Sequence, residues 1–173
     1  MNFSIRPTIR ALVAPEHRLS CSSKLWRAGL TELRRRGGGS RESGAFLLGS
    51  RDGERRAVSR FVFYDDLDPR SLDTGIVVID GAGYGPLWRM CREAGLQVVA
   101  DVHTHPGTAR QSPTDRENPM VAERGHLALI VPEFAQRRVG PSELGIYEYE
   151  GEHRWRDHTG KRADKFFYVG MWG

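Results

Sequence analysis

Val98-Val-Ala-Asp-Val-His-Thr-His-Pro-Gly-Thr-Ala-Arg-Gln-Ser-Pro-Thr-Asp115 is the stretch from which the rest of the chain can be read. The apolar run Val98 to Val102 ends in two histidines, His103 and His105. In an extended strand, residues i and i+2 face the same side, roughly 6.6–6.8 Å apart along the chain. Both imidazoles can therefore converge on one metal ion while Thr104 turns away. Pro106-Gly107 stops the strand, and a short polar loop leads to Ser112 and Asp115. Two nitrogen ligands and a returning carboxylate leave a fourth tetrahedral position open for water, as catalytic zinc sites do and structural ones do not.

The flanks of this stretch set the fold class. Upstream, Pro86 opens an amphipathic helix with Leu87, Met90, Cys91 and Ala94 on one stripe, closed by Gly95. Cys91 on that stripe reads as a small core residue rather than a nucleophile. Downstream, Ser112 at N-cap, Pro113 at N1 and Asp115 at N3 predict a helix through about Glu123. Such a cap explains Ser112 and Asp115 without any chemistry, yet it is compatible with chemistry, because a helix start holds Asp115 rigidly. Leu127 to Val131 is then a buried strand. Helix–strand alternation in the middle, with hairpins at both ends, predicts an α/β fold in the α+β sense: a mixed β-sheet flanked by helices.

Farther out, residues 3–13 read as an edge strand and Ser20 to Ser23 as N-cap candidates for a helix through Arg36. On that helix Trp26, Leu30 and Leu33 make one apolar stripe. Arg34-Arg-Arg36 suits the negative end of the helix dipole, or alternatively an acidic docking partner. Gly37-Gly-Gly39 ends the helix and lacks the Lys-Ser/Thr of a phosphate loop. Residues 42–64 form a hairpin around an Asp52-Gly53 turn. Ile76 to Ile79 is another buried strand, residues 146–156 a second hairpin, and Phe166 to Trp172 a final strand.

Composition narrows the class. The 173 residues suit one domain spanning 1–173, and 39% hydrophobic content is enough for a core. The 26 basic residues, nearly all arginine, against 22 acidic ones give a net +4, which permits an acidic partner without demanding one. No aromatic-basic pattern of a nucleic-acid binder is visible, so none is expected as a partner. Two unclustered cysteines, Cys21 and Cys91, suit a reducing compartment. Without a long apolar run, the expectation is a soluble cytoplasmic protein with no membrane partner.

What completes the metal motif is Glu42, in Glu42-Ser-Gly-Ala-Phe-Leu-Leu-Gly49. Alone it would be an ordinary carboxylate at the start of a strand. Together, Glu42 with Gly49, His103-Thr-His-Pro106 and Ser112-Pro-Thr-Asp115 resemble the JAMM (MPN-plus, JAB-type) zinc metalloproteases, over roughly residues 20–135. Nine residues separate His105 from Asp115, one fewer than that family's pattern, and the deletion falls in the Pro106–Gln111 loop.

The resemblance implies an MPN/cytidine-deaminase-like sandwich in which His103, His105 and Asp115 hold one Zn2+. Glu42 would accept a proton from the attacking water, whose pKa zinc lowers from about 15.7 to around 7. Ser112 would donate to the oxyanion. It further implies hydrolysis after the C-terminal glycine of a ubiquitin-like protein, by deconjugation or precursor processing. The short Asp115–Leu127 segment resembles compact prokaryotic members, some of which serve antiphage systems with activating and conjugating enzymes as partners. Three rivals remain: release of an amino acid from a sulfur-carrier adduct by the same chemistry, a non-catalytic MPN scaffold, and a PHP-type phosphoesterase suggested by Asp101-Val-His103-Thr-His105. The last would draw further ligands from His126, His153 or His158.

Overall fold

Apolar runs separated by Gly- and Pro-marked breaks become, one after another, strands of a single mixed sheet. The computed structural model describes residues 17–75, 77, 79, 81–160 and 163–171. In chain order its elements are β1 (Leu19–Ser22), α1 (Ser23–Arg36), β2 (Gly44–Asp52), β3 (Arg55–Phe63), the one-turn α2 (Tyr64–Leu67), α3 (Tyr84–Ala94), β4 (Gln97–Thr104), α4 (Pro113–Glu117), β5 (Leu127–Val131), β6 (Gly145–Gly151), β7 (Arg154–Asp157), α5 (Ala163–Phe166) and β8 (Phe167–Gly170). The eight described strands lie in the order β7-β6-β5-β4-β2-β3-β1-β8. β4 runs parallel to β5, and β1 runs parallel to β3 and β8. The remaining ladders are antiparallel. This is the mixed, helix-flanked sheet that the pattern predicts.

The two central strands are buried on both faces, so their sequences read as continuous apolar runs rather than alternating ones. On β2, Ala45 and Leu47 join the larger core cluster with Trp26, Leu30 and Leu33 of α1. Phe46 and Leu48 point the other way, to Val62, Tyr64, Leu87 and Cys91. Gly49 sits at a bulge between β2 and β3, where a Cβ would lie 1.8 Å from the Ala57 carbonyl oxygen. Only glycine fits there, which gives the Gly of the Glu42–Gly49 motif a packing reason.

The sheet curls enough for a side chain beside β1 to reach β6. Arg18, just before β1, reaches Glu148 of β6 through two contacts of 2.8 and 2.9 Å, and His158 adds a third at 2.9 Å. The Trp26 indole ties α1 to the segment between β5 and β6 by donating to Val139 O at 3.1 Å. Among the described residues no helix is long and apolar enough to cross a membrane.

Several local expectations shift. Ser22 is the cap of α1, accepting from Leu25 N, and it is also the last residue of β1, a strand too short to show a pattern. Arg36 is not free for a partner, since it pairs with Asp65 at 2.6 Å and Asp66 at 2.7 Å and lies over the Phe63 ring. The hairpin loop is Gly53-Glu54, one residue later than expected, because Asp52 still pairs with Arg55. α3 begins at Tyr84, two residues before Pro86. α4 ends at Glu117 rather than Glu123, because Pro119 disfavours helical backbone at Asn118, which sits at φ −125° and ψ 69°. The 146–156 hairpin and the last strand form as β6–β7 and β8.

The strand expected at residues 3–13 lies outside the described residues, as do Ile76, Val78 and Trp172. Val77 and Ile79 are described, take no strand conformation, and pack against the Phe46–Leu87 cluster.

Glu148 gives the closure a pH signature. Burial pushes its carboxyl up, but hydrogen bonds from Arg18 and His158 bring it down to about 2, from an ordinary 4.5. A folded-state pKa below the unfolded value contributes stability that is complete above about pH 4.5 and lost as pH falls towards 2. Glu148→Gln is therefore expected to lower the unfolding midpoint at pH 7, with the gap to wild type closing as the pH falls from about 4.5 to 2. Denaturant titrations across that range check it.

Candidate metal centre

β4 carries the centre. His103 lies in the middle of three strands, opposite Gly44 on β2 and Ile130 on β5. Its i+2 neighbour His105 follows the strand end and is held by its own backbone: His105 N donates to Val131 O, and its carbonyl accepts from Phe134 N at 2.8 Å. Phe134 reaches that position in a turn, Glu133–Phe134–Ala135, whose three residues all have left-handed φ of 54°, 49° and 55°. Such non-glycine residues cost about 1–3 kcal/mol each and persist only where the surroundings impose them.

The side chains converge as the i, i+2 argument requires. His103 Nε2 and His105 Nε2 are 3.0 Å apart, and they lie 3.5 and 3.2 Å from the two oxygens of Asp115. The ligand atoms of these three residues all fall within 4.8 Å of one another. Both rings are buried.

Asp115 is fixed by a capping box. Ser112 Oγ accepts from Asp115 N at 3.1 Å, and Asp115 Oδ2 accepts from Ser112 N at 2.6 Å. α4 buries no side chain of its own, but its far end is tied down by the Trp155 indole, which donates to Arg116 O at 3.1 Å. The shortened loop between His105 and Ser112 is pinned twice, by Glu133 N donating to Gly107 O and the Tyr147 hydroxyl donating to Ala109 O. Capping and site-building are one arrangement here.

Glu42 arrives from the other side, just ahead of β2. Its neighbour Ser43 is stitched to the end of β4: Thr104 N donates to Ser43 O at 2.9 Å, and Ser43 N donates to Thr104 Oγ1 at 3.0 Å. Thr104, turned away from the cluster, therefore places the residue that completes it. Glu42 Oε1 lies 3.9 Å from His105 Nε2. Burial raises the Glu42 pKa against the opposing pull of the two histidines. A cleft of about 210 Å³ opens over Glu42, His103, Ser112 and Asp115, with Met120 and Trp155 on its walls.

The donor set fits a divalent cation. Two neutral imidazoles cannot present lone pairs to each other across 3.0 Å, so a proton or a cation must lie between them. Burial pulls the His103 pKa down, while Asp101 and Asp115 on either side carry it up to about 10. Asp115 is driven well below the usual carboxylate range by the same histidines, against the effect of burial. Two imidazoles and one carboxylate beside a cleft are a donor set that could hold a metal ion.

The support behind this cluster comes from partners of Asp101 that no local pattern in the sequence announces. Asp101 is 2% exposed and accepts from His126 Nε2 at 2.6 Å and from the Tyr64 hydroxyl at 3.3 Å. A lone acid inside the run Val98–Val102 was the available sign. His126 is committed to Asp101 and His158 to Glu148, so neither joins the ligand cluster of a phosphoesterase-like site.

A cluster of two histidines and an aspartate, on a mixed sheet with a glutamate beside it, is compatible with a metal site. The chain belongs to the prokaryotic homologs of the JAB domain, whose family model matches residues 22–139. It is 32% identical over 63 residues to "Probable metalloprotease y4jG" of Sinorhizobium fredii (strain NBRC 101917 / NGR234), a match covering 36% of this chain and 39% of that protein. This chain thus spans well under half of that relative's length. The solution structure of protein DSY2949 from Desulfitobacterium hafniense superposes with a TM-score of 0.57 at 17% identity, over 87% of this chain and 92% of that one. That likeness is one of fold. A solution structure from Salinibacter ruber matches with a TM-score of 0.49 at 22% identity, over 79% and 89% of the two chains.

Gly44, paired with His103, offers a direct check of the packing. A Cβ there would lie 2.2 Å from Tyr64 Cε2 and 2.9 Å from Val102 O. Gly44→Ala should cost about 1–3 kcal/mol as overpacking and displace the Tyr64 ring from Asp101. Thermal unfolding with near-ultraviolet circular dichroism reads both effects, and an unchanged melting temperature would refute the packing.

Proposed function

We propose that this chain is a zinc-dependent peptidase that hydrolyses the peptide or isopeptide bond after the C-terminal glycine of a ubiquitin-like protein. The observation that supports this most is the convergence of His103, His105 and Asp115 beside Glu42, in a member of the JAB family. His103, His105 and Asp115 would hold the ion, which when bound supplies Lewis acidity and a lowered pKa for water.

The protein's own groups do the rest. Glu42, half-buried beside His105, takes a proton from the attacking water and delivers it to the departing amine; its raised pKa suits a group that must carry a proton briefly. Ser112 Oγ already accepts the Asp115 N–H, which leaves its own hydrogen to donate to the oxyanion that develops on the substrate carbonyl. A donor of this kind is worth roughly 2.7–4 kcal/mol in hydrolases. An extended glycine-ended tail suits a narrow cleft, because residues without side chains let the scissile carbonyl approach the cluster. The ubiquitin-like protein, its conjugates, and activating and conjugating enzymes of an antiphage system are the proposed partners, in the cytoplasm.

The test is a pair of measurements on one purified protein. Metal analysis should find about one zinc per chain, as an open single-ion site requires. Glu42→Gln should retain that zinc while losing roughly 10²–10⁴-fold in cleavage of a ubiquitin-like fusion. Side-by-side assay of a sulfur-carrier adduct separates the two substrate classes by their kcat/KM. Zinc retention with no cleavage of either substrate by wild type would return the chain to the binding-scaffold reading.

A further inference from the structure

We propose that Asp101 is a positioning residue for the metal centre: its buried carboxylate, held from behind by His126 and Tyr64, fixes the His103 ring so that Nε2 faces the ligand cluster. The proposal rests on reading His103, His105 and Asp115 as a cation site.

The two nitrogens of His103 have opposite surroundings. Nε2 faces His105 and Asp115, whereas Nδ1 is buried and makes no hydrogen bond among the described residues. The carboxylate facing that orphaned nitrogen is Asp101, whose Oδ2 lies 4.0 Å away. An imidazole that offers its Nε2 lone pair to a cation carries its hydrogen on Nδ1, and that hydrogen needs an acceptor. Asp101 is placed to be it. Because Asp101 lies on the Nδ1 side of the ring, it does not share the ion with Asp115.

Burying a carboxylate this deeply is costly unless it is paired and hydrogen-bonded. Asp101 has that pairing. Oδ1 accepts from His126 and Oδ2 from the Tyr64 hydroxyl, so the carboxylate plane is set from outside the metal site. His126 itself sits just before β5, where its N–H donates to Glu123 O and its carbonyl accepts from Tyr149 N. A rigid backbone thus orients His126, His126 orients Asp101, and Asp101 orients His103. The competing explanation is that Asp101 only anchors His126 as a structural pair. That role would appear in the stability of the metal-free protein and leave metal affinity alone.

The experiment compares wild type, Asp101→Asn, His126→Gln, Tyr64→Phe and the ligand variant His105→Ala. Zn2+ affinity is measured by competition with a chromophoric chelator, and unfolding is measured separately in excess chelator. Loss of an outer hydrogen-bond partner of a ligating histidine typically weakens metal binding about 10–100-fold, the range expected for Asp101→Asn. His126→Gln and Tyr64→Phe should each give a smaller loss in the same direction, which covers the case in which Asp101→Asn fails to fold. In wild type, zinc should fix His103 as the Nδ1–H tautomer in 15N NMR, and the variants should weaken that signature. Zinc affinity within two-fold of wild type in the folded variants, with only metal-free stability reduced, would overturn the proposal. Equal zinc binding by wild type and His105→Ala would instead remove the cation site itself, and the proposal with it.

Discussion

The ladder between β2 and β4 is the constraint on which the rest of the site depends. It sets Gly44 opposite His103 and ties Ser43 to Thr104 through both backbone and side chain. Through it, a glutamate and two histidines more than sixty positions apart in sequence arrive at one point. Close approach comes at a packing cost that glycine meets at Gly44, where the Tyr64 ring occupies the space of a Cβ. The hydroxyl of Thr104, which points away from the cluster, is as much a part of the site as the imidazoles on either side.

Electrostatics explains why so many polar groups tolerate burial here. Glu42, Asp101 and Asp115 face His103, His105 and His126; Asp101 and the three imidazoles are buried, and Glu42 and Asp115 line the cleft. Each anion has a nitrogen partner or neighbour: His105 for Glu42, His126 for Asp101, and His103, His105 and the Ser112 N–H for Asp115. The arrangement is therefore poor as a simple stabiliser, since buried charges seldom repay their desolvation. It is well suited to receive a cation, which would satisfy both histidines and Asp115 together. The strained turn behind His105 fits the same picture, as conformational cost is concentrated where ligand placement matters.

Much of this was legible in the chain because local periodicity carried it. The i, i+2 spacing of His103 and His105, the capping signature Ser112-Pro-Thr-Asp115, and the apolar runs of β2, β4 and β5 are local statements that the fold preserves. Boundaries moved where a neighbour overruled the pattern. Pro119 shortened α4, and ladder pairing shifted the hairpin loop to Gly53-Glu54. Long-range partnerships were harder to see. Nothing near Arg36 in sequence announces Asp65 and Asp66, and nothing near Asp101 announces Tyr64 and His126. A buried acid in an apolar strand signals that a partner exists, but not which one, because the partner is set by sheet order and curl.

The most direct test of the central claim is X-ray absorption at the zinc K-edge on the purified, zinc-loaded protein. The account predicts a ligand shell of nitrogen and oxygen only, with the outer-shell scattering of two imidazoles, reduced when His103 or His105 is replaced by alanine. Sulfur ligation from Cys21 or Cys91, or a spectrum without imidazole scattering and unchanged by those replacements, would contradict it.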